Sequence, residues 1–83
     1  MALLILKNST NLRSLARGRL AEHLEAQVQA ALNGRVRDLR VVIRADGIVL
    51  EGHAHTYYAK QLAQHAVMKA TPLHILGNDI EVV

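Results

Sequence analysis

The stretch Val41-Val42-Ile43-Arg44-Ala45-Asp46-Gly47-Ile48-Val49-Leu50-Glu51-Gly52 decides the fold. Before the Asp-Gly pair, Leu39, Val41, Ile43 and Ala45 alternate with Arg40, Val42 and Arg44; after it, Ile48, Leu50, Gly52 and Ala54 alternate with Val49, Glu51 and His53. A period of two places successive side chains on opposite faces of a strand, so each half carries one aliphatic face. Asp-Gly between two such runs signals a tight hairpin, because primed turns need positive φ at both central residues. A two-residue Asp46-Gly47 loop would set Ala45 opposite Ile48, Ile43 opposite Leu50 and Val41 opposite Gly52. Gly52, on the aliphatic face, would let a helix approach closely.

Outward from the hairpin the period changes to that of a helix. On the C-terminal side, Thr56 is placed to cap a helix in which Ala59, Leu62, Ala63, Ala66, Val67 and Ala70 recur at i, i+3, i+4 and i+7. Pro72 ends it, since proline cannot continue the backbone ladder. Leu73–Val83 then reads as a last strand carrying Leu76, Ile80 and Val82, with a bulge or turn near Gly77. On the N-terminal side, Leu20, Ala21, Leu24, Val28, Ala31 and Leu32 form one helical face from about Arg19, and Asn33-Gly34 supplies a left-handed stop. The expected fold class is therefore α+β: a small αββαβ domain, a three-stranded sheet with two helices packed on one face.

These residues resemble the BON domain, the module of bacterial osmotic-shock and nodulation proteins, over roughly Leu20–Val82. The hairpin quoted above is similar to that family's alternating strand, Asp-Gly turn, second strand and glycine. The helix Lys60-Gln61-Leu62-Ala63-Gln64-His65-Ala66-Val67 has the same alanine-lined face. The tail Leu73-His74-Ile75-Leu76-Gly77-Asn78-Asp79-Ile80-Glu81-Val82 is similar to its terminal pattern of apolar, Asn, apolar, apolar. Pro72 stands where the family usually has a glycine. The resemblance implies a small alpha/beta sandwich without catalytic residues, often attached to bacterial envelope proteins, that binds phospholipid or anchors larger domains. Its motifs specify packing rather than chemistry.

Composition bounds the rest. A chain of 83 residues suffices for one domain, and so small a domain has little interior left for a deep active site. The absence of cysteine excludes disulfides, thiolate catalysis and thiolate metal sites. With no Phe or Trp and two tyrosines, the core must be aliphatic and alanine-rich. The apolar run Ala2-Leu3-Leu4-Ile5-Leu6 lacks a preceding basic region and is too short for a signal core, so the expectation is a cytoplasmic protein, with peripheral envelope association left open. Residues 1–18 read as a leader, loosely ordered or adding an edge strand, and residues 19–83 as the domain.

The formal charge of +3 is uneven: residues 1–47 carry eight Lys/Arg against four Asp/Glu, and residues 48–83 carry two against three. Arg35, Arg37, Arg40 and Arg44 run from the loop into the first strand, and Arg13, Arg17 and Arg19 precede or open the first helix. A basic stretch of this kind suits anionic partners and equally suits solubility. Tyr57 and Tyr58 are adjacent on a helix, about 100° apart, so at least one is exposed and available to a partner. Arg40, Arg44, Arg35, Arg37 and Tyr57 are thus the candidate ligand-binding residues. No catalytic residue, metal ligand or cofactor is expected. Glu51, His53 and His55 are spaced to share a metal on one strand face, but Arg40 and Arg44 opposite them oppose a cation, and the row reads as a solvated cross-strand cluster. The five histidines, His23, His53, His55, His65 and His74, are spread along the chain rather than converging.

The expected function is a non-enzymatic binding module for an anionic phospholipid surface or a protein partner, with homo-oligomers through a sheet edge as a further possibility. The competing reading is a KH-like nucleic-acid-binding module. It is the poorer fit, because the Gly-x-x-Gly clamp has no counterpart and no aromatic platform is present for RNA bases.

Overall fold

The computed structural model describes residues 9–83, with side chains from residue 15 onward; the leader expected over residues 1–18 lies outside the described residues as far as residue 8. The elements are α1 (Ser9–Leu32), β1 (Val36–Arg44), β2 (Gly47–Ala54), α2 (Tyr57–Ala70) and β3 (Ile75–Val82). This is the αββαβ order expected, with a three-stranded sheet in the order β1-β2-β3. β1 and β2 are antiparallel, and β3 lies parallel to β2 after the crossover through α2.

Helix α1 begins at Ser9, ten residues before the position that periodicity predicts. The physical reason is visible in its exposure. Residues 15–20 are all exposed, and the first buried side chain is Leu24. Residues 15–20 thus face no core among the described residues, and no apolar stripe runs through them to be read. Leu24, Val28 and Leu32 enter the core, whereas Leu20 and Ala31, expected on the same face, are exposed. The helix closes with left-handed Asn33 (φ 51°) and Gly34 (φ 79°), and the Asn33 N–H donates to the Gln29 carbonyl at 3.2 Å.

Helix α2 follows the sequence closely. The Thr56 side-chain oxygen accepts from the Ala59 N–H at 3.0 Å, which satisfies one of the free donors of the first turn. Ala59, Ala63 and Val67 are buried, and Leu62, Ala66 and Ala70 pack partly against the same core. That single cluster also takes in Val36, Leu39, Val41, Ile48, Leu50, Ala54 and Ile80 from the sheet. Both helices therefore cover one sheet face.

The hairpin differs from expectation in register. Ile43 pairs with Ile48, Val41 with Leu50 and Arg44 with Gly47, so the turn residues are Ala45-Asp46 rather than Asp46-Gly47. Neither has positive φ, and the turn is not of the primed kind. Gly47 is instead the first residue of β2, where β3 arrives. The Ile48 N–H donates to the His74 carbonyl at 2.8 Å, and a Cβ at Gly47 would overlap that carbonyl oxygen and come within 2.9 Å of Leu76 Cγ. The glycine permits the strand junction, not the turn.

β1 also starts earlier than read, at Val36, and contains an irregularity between Arg37 and Arg40. Asp38 has φ 54°, and residues 38 and 39 together oppose Gly52, which is a bulge. The bulge brings both Val36 and Leu39 to the core, three positions apart. It also corrects the role of Gly52. A Cβ there would meet the Arg37 carbonyl oxygen at 3.0 Å, Val36 Cγ1 at 3.1 Å and Leu39 Cα at 3.3 Å. Gly52 admits the bulged strand, not a helix.

At the far end, the irregularity in β2–β3 pairing falls between Ile48 and Val49, opposite Leu76, next to the Gly77 bulge expected. Ile80 is buried, whereas Leu76 and Val82 are exposed. No helix among the described residues is long and apolar enough to cross a membrane.

Candidate functional site

With both helices on one side, the other sheet face is open, and strand alternation decides what stands on it. Its composition follows from the pairing. Arg37, His53 and Glu81 form one row across the three strands; Arg40, Glu51 and Asp79 form the next; Val42, Val49 and Gly77 form a third. Arg44 stands beyond, opposite Gly47. The charges are sorted by strand. β1 contributes Arg37, Arg40 and Arg44 with Asp38 at its bulge, β3 contributes Asp79 and Glu81, and Glu51 and His53 lie between on β2. Arg37, Arg40, Arg44, Glu51, Asp79 and Glu81 are all exposed, while Val42, Val49 and His53 are half-buried.

His53 bridges the acidic side chains nearest it. Its Nδ1 lies 3.6 Å from Asp38 Oδ2 and its Nε2 lies 3.7 Å from Glu81 Oε2. These two contacts, ionic only where the imidazole is protonated, link the β1 bulge to β3 through the central strand. A shallow depression of about 270 Å³ lies here, lined by Glu51, Gly52, His53, Asp79 and Glu81. No group of three or more His, Asp or Glu side chains among the described residues is arranged to hold a metal ion.

The expected cross-strand pairs shift with the register. Arg40 stands directly across from Glu51, not His53, and Arg37 takes the place opposite His53. Arg44 is at the hairpin end, near Gly47 and away from Glu51. Arg37, Arg40 and Arg44 make no ion pair with a described carboxylate, although Arg40 is the strand neighbour of Glu51. Their charge is therefore available to a partner.

The structure separates the remaining candidates from this row. Arg35 lies between α1 and β1 and lines a cleft of about 240 Å³ on the helical layer, with Tyr58, Leu62, His65 and Lys69 among its walls. Tyr57 is 64% exposed at the start of α2, and its hydroxyl oxygen accepts from Gln61 Nε2 at 2.7 Å. Tyr58 is exposed as well, so neither tyrosine serves the core. Asp38, Asp79 and Glu81 belong to the open face and escaped sequence reading. The alternation Gly77, Asp79, Glu81 against Asn78, Ile80, Val82 was a signal for the last two. What it lacked was the parallel register that sets them beside Glu51 and His53.

Both sheet edges are partly closed. On β1 the Val41 N–H donates to Glu25 Oε2 of α1 at 3.2 Å. On β3 the Ile80 N–H donates to Asn78 Oδ1 at 3.2 Å, while Asn78 Nδ2 donates to the Lys60 carbonyl at 3.0 Å. Donors occupied by side chains are withdrawn from pairing with another strand.

Comparison with protein-family models, with curated proteins and with solved structures finds no match to this chain.

Proposed function

We propose that this chain is a non-enzymatic binding module of the BON kind, and that its contact for an anionic surface is the arginine row Arg37, Arg40 and Arg44 on β1. The observation that carries this reading is that the three guanidinium groups line one edge strand, exposed, on the helix-free face and with no carboxylate in ion-pair contact. A charge without an internal partner attracts a counter-charge from outside. From Arg37 to Arg44 the row spans roughly 20 Å at about 3.3 Å per residue, enough for several lipid headgroups or the acidic flank of a protein.

Orientation matters because the same face carries Glu51, Asp79 and Glu81. With Asp38 counted, the face laid flat would offer an anionic membrane four carboxylates against three arginines. Tilted onto the β1 edge, it leads with its three arginines, with Asp38 among them and Glu51 one strand spacing behind. β3 stands about 10 Å from β1, two strand spacings, which exceeds the Debye length of about 8 Å at physiological salt. At roughly 1 kcal/mol per basic contact, three arginines give a weak, salt-sensitive attachment of at most about 3 kcal/mol, which Asp38 and Glu51 reduce.

Co-sedimentation with anionic and neutral vesicles at low and high salt tests this. The wild type should pellet with anionic vesicles at low salt and be released at high salt. Arg40→Glu combined with Arg44→Glu should abolish pelleting with the circular dichroism spectrum unchanged, since neither side chain enters the core. A wild type that ignores anionic vesicles at low salt would remove the lipid reading and leave an acidic protein surface as the counterpart. Equal binding by the double variant would remove the arginine row.

A further inference from the structure

The open face carries its own complement. Its arginines stand on one edge strand and two of its carboxylates on the other, in matching rows: Arg37 level with Glu81, and Arg40 level with Asp79; Glu51 stands between them on β2 and Asp38 at the β1 bulge. Consider a second copy placed face to face by a half-turn about an axis that runs along β2. The half-turn exchanges the two edges and keeps the strand direction. Arg37 then faces the second copy's Glu81 and Arg40 faces its Asp79, each pair occurring twice because a two-fold interface is self-complementary. The Val42, Val49 and Gly77 row meets itself and supplies a dry centre. A half-turn about the other in-plane axis, across the strands, would stack β1 on β1 and set arginine against arginine. Charge therefore selects one of the two arrangements.

We infer that the helix-free face binds a second copy of this chain in this arrangement, by the charge complementarity of its β1 and β3 edges. The inference rests on reading that face as the binding surface, and it supplies the anionic partner from the chain itself. Two observations favour the face over the edges as the route of self-association. The Val41 and Ile80 N–H groups are occupied by Glu25 and Asn78, and the Asp38 bulge distorts the β1 edge. The face, by contrast, is covered by no helix among the described residues along any of its three strands. Its size sets the strength. Three strands of about eight residues give a planar footprint of roughly 375 Å² per copy, or about 750 Å² in all, well under the 1,200 to 2,000 Å² typical of stable complexes. The dimer is thus transient and dissociates with salt. Two like-charge meetings oppose it: Glu51 on Glu51 lies on the axis between the two Arg40–Asp79 pairs, and Asp38 of each copy comes to the level of the other copy's Glu81.

Sedimentation velocity of the full chain, without lipid, across salt and protein concentration tests this. The wild type should dimerise at low salt and high concentration and be monomeric at high salt. Arg40→Glu and Asp79→Arg should each weaken dimerisation about 10- to 30-fold, because every reversal turns two attractions into repulsions. An equimolar mixture of the two variants should regain dimerisation, since the introduced glutamate of one copy then faces the introduced arginine of the other, and the unchanged Asp79 of the first faces the unchanged Arg40 of the second. Glu51→Gln should tighten the dimer. Arg44→Glu should leave it intact, because no β3 carboxylate is level with that position, while still weakening vesicle binding; the two readings therefore fail separately. A monomeric wild type at low salt, a mixture that stays monomeric, or growth beyond the dimer through strand edges would each overturn the inference.

Discussion

Gly52 and Gly18 occupy opposite circumstances, and substitution at each should have opposite signs. At Gly52, φ is 153° and the space a Cβ needs is occupied by the backbone of the β1 bulge. Backbone cannot turn aside as a flexible side chain can. Gly52→Ala should therefore cost about 1 to 3 kcal/mol, read as a melting temperature lowered by roughly 4 to 8 °C per kcal/mol in a domain of this size. An unchanged melting temperature would show that the bulge accommodates a methyl group. Gly18 lies within α1, exposed, with nothing within 4 Å of a Cβ. Gly18→Ala should add up to about 1 kcal/mol of helix stability by removing backbone freedom from the unfolded chain, and should raise the helical circular dichroism signal. A loss of helicity would mean that the glycine is required by something other than helix packing.

At the scale of elements, Asn78 and Glu25 tie strands to helices. Asn78 donates to α2 at Lys60 and accepts from its own strand at Ile80, and it is half-buried. Asn78→Ala should cost about 1 to 2 kcal/mol. Asn78→Asp should cost at least as much, because its carboxylate still accepts from Ile80 but sets an anionic oxygen against the Lys60 carbonyl and Gln64 Oε1, to which Nδ2 donated; a clearly smaller loss than for Ala would show that the helix contact contributes little. Glu25→Ala frees the Val41 N–H and should raise aggregation at high concentration with little loss of fold, measured by light scattering beside circular dichroism. Element order and the capped α2 were legible in sequence because each rests on local periodicity, as with Thr56, Ala59, Ala63 and Val67. The register was not. Gly47 and Gly52 sit where a hairpin turn and a helix contact would also want glycine, and only the approach of His74 and of the Asp38 bulge, both distant along the chain or locally irregular, decides between the uses. Of the candidate site, Arg40 and Arg44 were legible as outward residues of one strand, whereas Arg37, read as loop, joins their face only through the Asp38 bulge. Asp79 and Glu81 became their counterparts only through the parallel pairing of β3 with β2, which no local pattern encodes.

For the whole molecule, the two-layer arrangement divides the surface in two. One side is helical and carries the Arg35, Tyr58 and Lys69 cleft; the other is bare sheet with its charges sorted by strand. A basic half in the sequence thus becomes a basic edge in space. The central claim is that recognition belongs to the bare side. Its most direct test is amide chemical-shift mapping of the full chain as anionic bicelles are added at low salt. Shifts should gather on Arg37, Arg40, Val42, Arg44 and Val49 and vanish as salt is raised, with Tyr58, Leu62 and Lys69 unmoved. Shifts gathered instead along the cleft at Arg35, Tyr58 and Lys69, with β1 silent, would contradict the account.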